Sequence, residues 1–263
     1  MALDLSHEVA GDGPPLIILH GLFGSARNWR AIAKGLADSH RVWSIDLRNH
    51  GDSPWDADMT YEAMAGDIKA FMARHGLEGA ALMGHSMGGK VAMTLALTEP
   101  SLVGQMIVVD IAPVQRPPDL RSYVRAMARI DLSTVRRRAE VGDLLASTVE
   151  DRSVRAFLLQ NLVMTDGAPR WRLNLEAIDR QMEAIGGFPE PLLDRQYERP
   201  THFITGALSA YVKPEHRDLV LRLFPAVTMS VIAGAGHWVH AEKPESFLRA
   251  VRRFLGPGGN GAD

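Results

Sequence analysis

The chain has no cysteine. Disulfides, thiol nucleophiles and cysteine-held metals are therefore excluded, and the composition suits a reducing cytosol, which is the expected location. Net charge is nearly absent as well, with 29 basic residues against 31 acidic ones. That balance lacks the basic footprint of a nucleic-acid binder. Long apolar runs are also missing. The longest early one spans Leu16 to Leu19 and continues to Phe23, far short of a membrane span. The opening MALDLSHEVAGDG has neither the basic start nor the apolar centre of a signal peptide. No H-E-x-x-H or other paired ligand spacing occurs, and the glycines after Leu19 read HGLFGS rather than G-x-G-x-x-G. The expectation is a protein without metal or cofactor.

What is present is a globular composition. Of 263 residues, 46% are hydrophobic and 23% charged, which suits one large domain or a core carrying an inserted subdomain. Short apolar runs alternate with amphipathic helical stretches. Strands are predicted at Leu3 to Val9, as an antiparallel edge, and at Leu16 to Leu19, Arg41 to Ile45, Ala80 to Met83, Gln105 to Val109, His202 to Thr205 and Thr228 to Ile232. Helices are predicted at Asn28 to Ser39, from an N-cap at Thr60 through His75, and at Met87 to Leu97, Pro214 to Phe224 and Pro244 to Leu255. Buried strands separated by helices imply a parallel sheet covered on both faces. The alternation breaks between Ala112 and Arg199, a stretch rich in Arg and Leu with no strong strand candidate. Helices are predicted there at Leu120 to Ile130, Ser133 to Ala146, Asp151 to Leu162 and Leu175 to Ile185. The expected organisation is a core of residues 1–112 and 200–256, a helical cap at 113–199 and a disordered tail at 257–263.

One motif carries chemistry. Gly84-His85-Ser86-Met87-Gly88 has the form G-x-S-x-G, follows a predicted strand and opens a predicted helix. That context turns a weak pattern into a nucleophile candidate. A serine at a sharp strand-to-helix turn lifts its hydroxyl above the sheet. The flanking glycines allow the tight fold, and the helix N-terminus stabilises developing negative charge.

With this motif in hand the chain resembles an α/β-hydrolase, over almost its whole length outside the cap. The resemblance rests on His20-Gly21-Leu22-Phe23-Gly24, on Asp46-Leu47-Arg48-Asn49-His50-Gly51-Asp52-Ser53 and on Gly84-His85-Ser86-Met87-Gly88-Gly89. RNHGDS together with GHSMGGK is similar to the small bacterial esterases of the YbfF type and their mitochondrial relatives. The resemblance implies a mostly parallel eight-stranded sheet with an inserted helical cap. It also implies cofactor-free hydrolysis of short carboxylic esters and acyl-thioesters by a monomer or small homo-oligomer.

Among ten histidines, His237 is the expected base. It follows the last predicted strand and completes the chain order Ser, acid, His. His240 reads as structure at the start of the last helix, and His20 as a brace for the loop after the first buried strand. The acid departs from the commonest pattern. Where G-x-x-D is expected after the strand that follows the cap, the chain reads Gly206-Ala207-Leu208-Ser209. Asp110, ending the strand before the cap, is the substitute, and the YbfF-type branch is similar in this respect. The competing reading is that Asp110 only caps the start of the inserted segment. Ser209 is a candidate partner of Asp110 or His237, and Asp46 reads as an organiser of its neighbouring loop.

Two backbone N–H groups should meet a developing oxyanion. Met87 is one, and Leu22 the other, with Phe23 as a one-residue alternative. Phe23, His85, Tyr211 and Trp238 are candidates for contact with substrate. Of the cap side chains, Met127, Met164, Trp171, Met182 and Phe188 read first as core, and Arg136-Arg137-Arg138 as a solvated face rather than a docking site for an anionic acyl carrier. The leading expectation is a serine esterase or thioesterase acting on small molecules. The same residues would serve a haloperoxidase, a perhydrolase or a carbon–carbon bond hydrolase, and a ligand sensor of this fold is the alternative from another class.

Overall fold

The computed structural model describes residues 2–117, 120–164 and 169–256. The strands are β1 (His7–Ala10), β2 (Pro15–Leu19), β3 (Arg41–Ile45), β4 (Ala80–His85), β5 (Val103–Val109), β6 (Leu162–Val163), β7 (Arg170–Trp171), β8 (Thr201–Gly206) and β9 (Val227–Ile232). Seven of them form one sheet in the order β1-β3-β2-β4-β5-β8-β9. All neighbours run parallel except β1, which pairs antiparallel with β3.

The central strands read as unbroken apolar runs because both faces of the sheet are covered. Ile17, Leu19, Leu82, Met106 and Val108 belong to one core cluster. Their neighbours Leu16, Ile18, Ala81, Met83, Ile107 and Val109 belong to a second cluster. The two clusters thus alternate along each strand with the period of two that the pleat dictates. Helices α2 (Tyr61–His75) and α3 (Met87–Thr98) pack on the first face through Met64, Ile68, Phe71, Val91 and Leu95. Helices α1 (Arg30–Leu36) and α11 (Pro244–Leu255) pack on the second, through Ile32, Leu36, Phe247 and Val251. The start of α2 is fixed by Thr60, whose hydroxyl accepts from Ala63 N at 3.3 Å, and its end by Gly76 at φ 63°.

Between β5 and β8 lie α4 (Arg121–Ala128), α5 (Arg138–Leu145), α6 (Arg152–Leu159), α7 (Leu175–Arg180) and α8 (Met182–Gly186). The core finishes with α9 (Arg217–Leu223) and α10 (Val239–Glu242), which precede α11.

Several expectations are corrected. The sheet holds seven strands among the described residues rather than eight. The first strand starts at His7, not Leu3. Upstream of it, the Leu3 N–H goes to the Asp67 carboxylate at 2.7 Å and the Ser6 N–H to Ser53 Oγ at 2.9 Å, so these donors are withdrawn from any ladder. The inserted segment is not purely helical, since β6 and β7 form a short antiparallel hairpin. Its last predicted helix is two helices broken at Gln181. The tail at 257–263 lies outside the described residues.

Candidate active site

Four residues other than glycine have positive φ among the described residues: Phe23 (63°), Asn49 (66°), Ser86 (53°) and Asp110 (51°). Each follows the carboxyl end of one of the neighbouring strands β2, β3, β4 and β5. Strained backbone is thus concentrated along one edge of the sheet, where a packed scaffold can hold it. Ser86 stands between β4 and α3, with φ 53° and ψ −118°. Its N–H donates to Val109 O at 3.0 Å and its carbonyl accepts from Lys90 N at 3.1 Å. Two glycines make this turn possible. A Cβ on Gly84 would come within 2.1 Å of Gly88 O, and one on Gly88 within 2.5 Å of the carbonyl oxygens of Leu19 and His20.

Asp110 is fully buried. Three donors converge on its carboxylate. His237 Nδ1 lies 2.7 Å from Oδ2, Ser209 Oγ donates to Oδ2 at 2.5 Å and Gly206 N–H to Oδ1 at 3.1 Å. The turn after β8 that lacks a carboxylate therefore supplies a hydroxyl to the carboxylate after β5. With Nδ1 engaged, the other imidazole nitrogen of His237 has no protein partner among the described residues. Its ring lines the same pocket as Ser86. The two share that pocket without a hydrogen bond between their side chains. Tyr211 stacks on the His237 ring, with centroids 3.7 Å apart and planes inclined by 15°. The Arg116 guanidinium lies 3.9 Å from the Tyr211 ring centre. Because His237 already covers one face of Tyr211, Arg116 must occupy the other. The Tyr211 N–H also donates to Ser209 Oγ at 3.2 Å.

The loop after β2 is braced by two buried histidines. His20 Nδ1 lies 2.8 Å from Gly21 O, and its Nε2 accepts from Leu47 N–H at 3.0 Å. His50 Nδ1 lies 2.9 Å from Arg48 O, and its Nε2 accepts from Phe23 N–H at 3.3 Å. Each ring must therefore be neutral, with its proton on Nδ1, to donate on one side and accept on the other. Burial pushes His20 down to about 4 and His50 to about 3, the latter helped by His20 nearby. Because His50 takes the Phe23 N–H, Phe23 is removed as an oxyanion donor. The Leu22 N–H has no acceptor among the described residues. Asn161, from the inserted segment, holds the strained Phe23 through its carbonyl at 2.8 Å. Asp46 organises the adjoining loop, accepting from Ala26 N at 2.7 Å and Asp52 N at 2.9 Å. Burial pushes its carboxyl upward.

Ser86 opens into two connected cavities. The larger, about 190 Å³, is lined by His237, Trp238, His85, Phe23, Phe157 and Tyr123, among others. The smaller, about 60 Å³, reaches past Met87 to Tyr61, Met182, Ile185 and Lys90. His85 is buried, and its Nε2 lies 2.9 Å from His237 O. Burial and the neighbouring histidines hold its pKa well below the usual range. His240 is buried too, stacked on Trp29 at 4.1 Å. Sequence reasoning did not find Tyr123, Val154, Phe157 and Leu158 as pocket walls. The i, i+3, i+4 spacing of the last three on one helix was the available signal. Met182, expected as core, does both jobs. Of the basic run, Arg137 is exposed beside Glu140, whereas Arg138 donates to the carbonyls of Leu159 and Leu162 and Arg136 to that of Ser133.

A family model described as the alpha/beta hydrolase fold matches residues 14–244. The chain belongs to the α/β-hydrolase family. Within it, the chain is 37% identical over 245 residues to the esterase YbfF of Escherichia coli, covering 92% of each chain. It is 43% identical over 268 residues to a protein of Danio rerio named sn-1-specific diacylglycerol lipase ABHD11, covering 97% of this chain and 83% of that one. Among solved structures, a marine microorganism esterase superposes with a TM-score of 0.93 at 37% identity, covering 97% of this chain and all of that one. The resemblance to YbfF-type members of the family is therefore a property of the whole chain and not of the motifs alone. Among the described residues, no helix is long and apolar enough to cross a membrane.

Proposed function

We propose that the chain is a serine hydrolase that cleaves carboxylic ester and acyl-thioester bonds of small molecules. Ser86 attacks the carbonyl carbon while His237 accepts its proton. Asp110, steadied by Ser209, orients the imidazole and balances its charge. The oxyanion is met by the N–H groups of Leu22 and Met87. The imidazolium then gives the proton to the departing alcohol or thiol, leaving an acyl group on Ser86. Water, deprotonated by His237, attacks that acyl group, and the acid departs with Ser86 restored. Residues 113–199 serve in this reading as a cap that closes the pocket over Ser86. Phe23, His85, Tyr211 and Trp238 border the substrate.

The observation that carries the reading is the Asp110–His237 contact at 2.7 Å, in a pocket shared with a serine on a strained strand-to-helix turn. The names of the relatives, an esterase and an acylglycerol lipase, support the choice of bond. Hydrolysis of a p-nitrophenyl ester series by wild-type, Ser86→Ala and Asp110→Asn proteins tests it. Ser86→Ala should be inactive, and Asp110→Asn should lose about 10³- to 10⁴-fold in kcat. Near-full activity of Asp110→Asn would reassign the acid. An inactive wild type that also resists a fluorophosphonate would put a ligand sensor in place of an enzyme.

A further inference from the structure

We infer that the β6–β7 hairpin of the inserted segment sets the oxyanion hole: Asn161, at its foot, is a positioning residue that holds Phe23 in its left-handed conformation and so keeps the Leu22 N–H aimed at the oxyanion. The inference rests on the hydrolase reading and deepens it. The loop after β2 closes as a turn, with Gly24 N–H donating to Gly21 O at 2.9 Å. It lies against the nucleophile, since a Cβ on Gly21 would come within 3.1 Å of Ser86 Cβ. Of the two central residues of the turn, only Phe23 has positive φ, at 63°. That is the type II form, whose third position favours glycine or asparagine. A phenylalanine there is strained, and turning the Leu22–Phe23 peptide over to the type I form would relieve it. Two side chains oppose that flip. His50 Nε2 accepts the Phe23 N–H at 3.3 Å, and Asn161 Nδ2 donates to Phe23 O at 2.8 Å. The peptides before and after Phe23 are thus each held.

Both holds depend on the hairpin. Asn161 is buried, and its Nδ2 also donates to Leu158 O at 3.3 Å. With two carbonyls to satisfy, the amide can face Phe23 only with its nitrogen. The Asn161 carbonyl accepts from Arg172 N at 2.8 Å, which joins the two feet of the hairpin. On the second foot, Asn174 donates from its backbone N to Asn49 O at 3.1 Å and from Nδ2 to Asn49 Oδ1 at 3.0 Å. Asn49 is itself left-handed, at 66°, and precedes His50. Arg172 pairs with Asp52 in the same loop. One asparagine grips the strained residue after β2 directly. The other grips the strained residue after β3, whose neighbour His50 completes the hold. The Leu22 N–H lies one peptide upstream and keeps its aim only while the turn is held. Seating of the hairpin and assembly of the oxyanion hole are therefore one event.

The test compares wild type, Asn161→Ala, Asn174→Ala, Phe23→Gly and the Phe23→Gly/Asn161→Ala double variant on p-nitrophenyl butyrate. Inhibition by an aryl trifluoromethyl ketone, whose adduct with Ser86 places an oxyanion in the hole, is measured alongside. Asn161→Ala should lower kcat about 10- to 100-fold, less than the outright loss of an oxyanion donor, and leave KM within about threefold. Its affinity for the ketone should fall by the same factor as kcat/KM. Glycine adopts positive φ without strain. Measured against Phe23→Gly itself, the same change should therefore cost less than about threefold. Asn174→Ala keeps the backbone bond and should show the same pattern at about threefold to tenfold, the scale of one neutral hydrogen bond. It carries the test, with the strain-free double variant, if Asn161→Ala fails to fold. Unchanged kcat and ketone affinity in the asparagine variants, or an equally large loss in the Phe23→Gly background, would overturn the inference and leave the hydrolase reading standing. A wild type that turns over no ester and takes no fluorophosphonate label removes the hydrolase reading first, and the inference with it.

Discussion

Acidification from pH 7 to pH 5 should destabilise this protein by about 4 kcal/mol through His20 and His50 alone. Both rings are buried and neutral. Each donates from Nδ1 to a carbonyl and accepts a backbone N–H at Nε2. A second proton on either ring would set N–H against N–H, besides charging a buried group. In the unfolded chain both titrate near 6.5, whereas in the folded protein they titrate at about 4 and about 3. Between those limits the unfolded state binds the additional protons. Stability is therefore complete above 6.5 and declines as pH falls toward the folded values. Integrating that difference gives about 2 kcal/mol for each histidine over the interval. His240 and His202, lowered by burial to about 3 and about 4, act in the same direction. Asp46, raised by burial, acts in the opposite one. Against a typical total of about 5–15 kcal/mol, the loss is large. Urea unfolding at both pH values measures it. His50→Gln, which cannot take up the proton, should cut the pH-dependent loss by about 2 kcal/mol. A wild type whose urea midpoint is the same at both pH values, or a variant that loses as much as wild type, refutes the reasoning.

Two further outcomes follow from single hydrogen-bond sets. Ser209→Ala removes the hydroxyl that donates to Asp110 at 2.5 Å. Bonds to charged groups contribute about 1.5–3 kcal/mol, so kcat should fall roughly 10- to 150-fold with KM nearly unchanged, and an unaltered kcat in steady-state assays would remove Ser209 from the machinery. Lys90→Met removes the ammonium donor of Val114 O and Gly187 O and one of the two donors of Gly186 O, which keeps the Arg116 N–H. It should cost roughly 2–4 kcal/mol in urea unfolding at pH 6, below the value of about 7 to which burial and Arg116 lower the amine. Equal stability of the two proteins at pH 6 would show that the buried amine contributes nothing.

Local pattern was enough wherever structure is set by neighbours in sequence. The strand-to-helix turn at Ser86 needs Gly84 and Gly88 within two residues, so its spacing is written directly in the chain. The sheet was legible because apolar runs covered on both faces leave no other reading. Asp110 was legible only indirectly, through the serine at position 209 where a carboxylate was expected. The two meet across 99 positions of sequence. What stayed hidden is long-range in the same way. Asn161 reaches the Phe23 carbonyl from 138 positions away, and His50 reaches the Phe23 N–H from 27. Neither contact leaves a periodic trace. In the inserted segment the amphipathic signal continues through Gln181, whereas the chain breaks there between α7 and α8. Pocket walls and core walls also share one composition, which is why Phe157 and Met182 could not be sorted from sequence.

The central claim is that Ser86 is a nucleophile activated by His237. Incubating wild type and His237→Ala with a fluorophosphonate, then weighing the intact proteins and mapping the modified peptide, tests it most directly. One adduct per wild-type chain, placed on Ser86, is expected, with labelling slowed by orders of magnitude in His237→Ala. An adduct on another residue, or labelling at the same rate without His237, would contradict it.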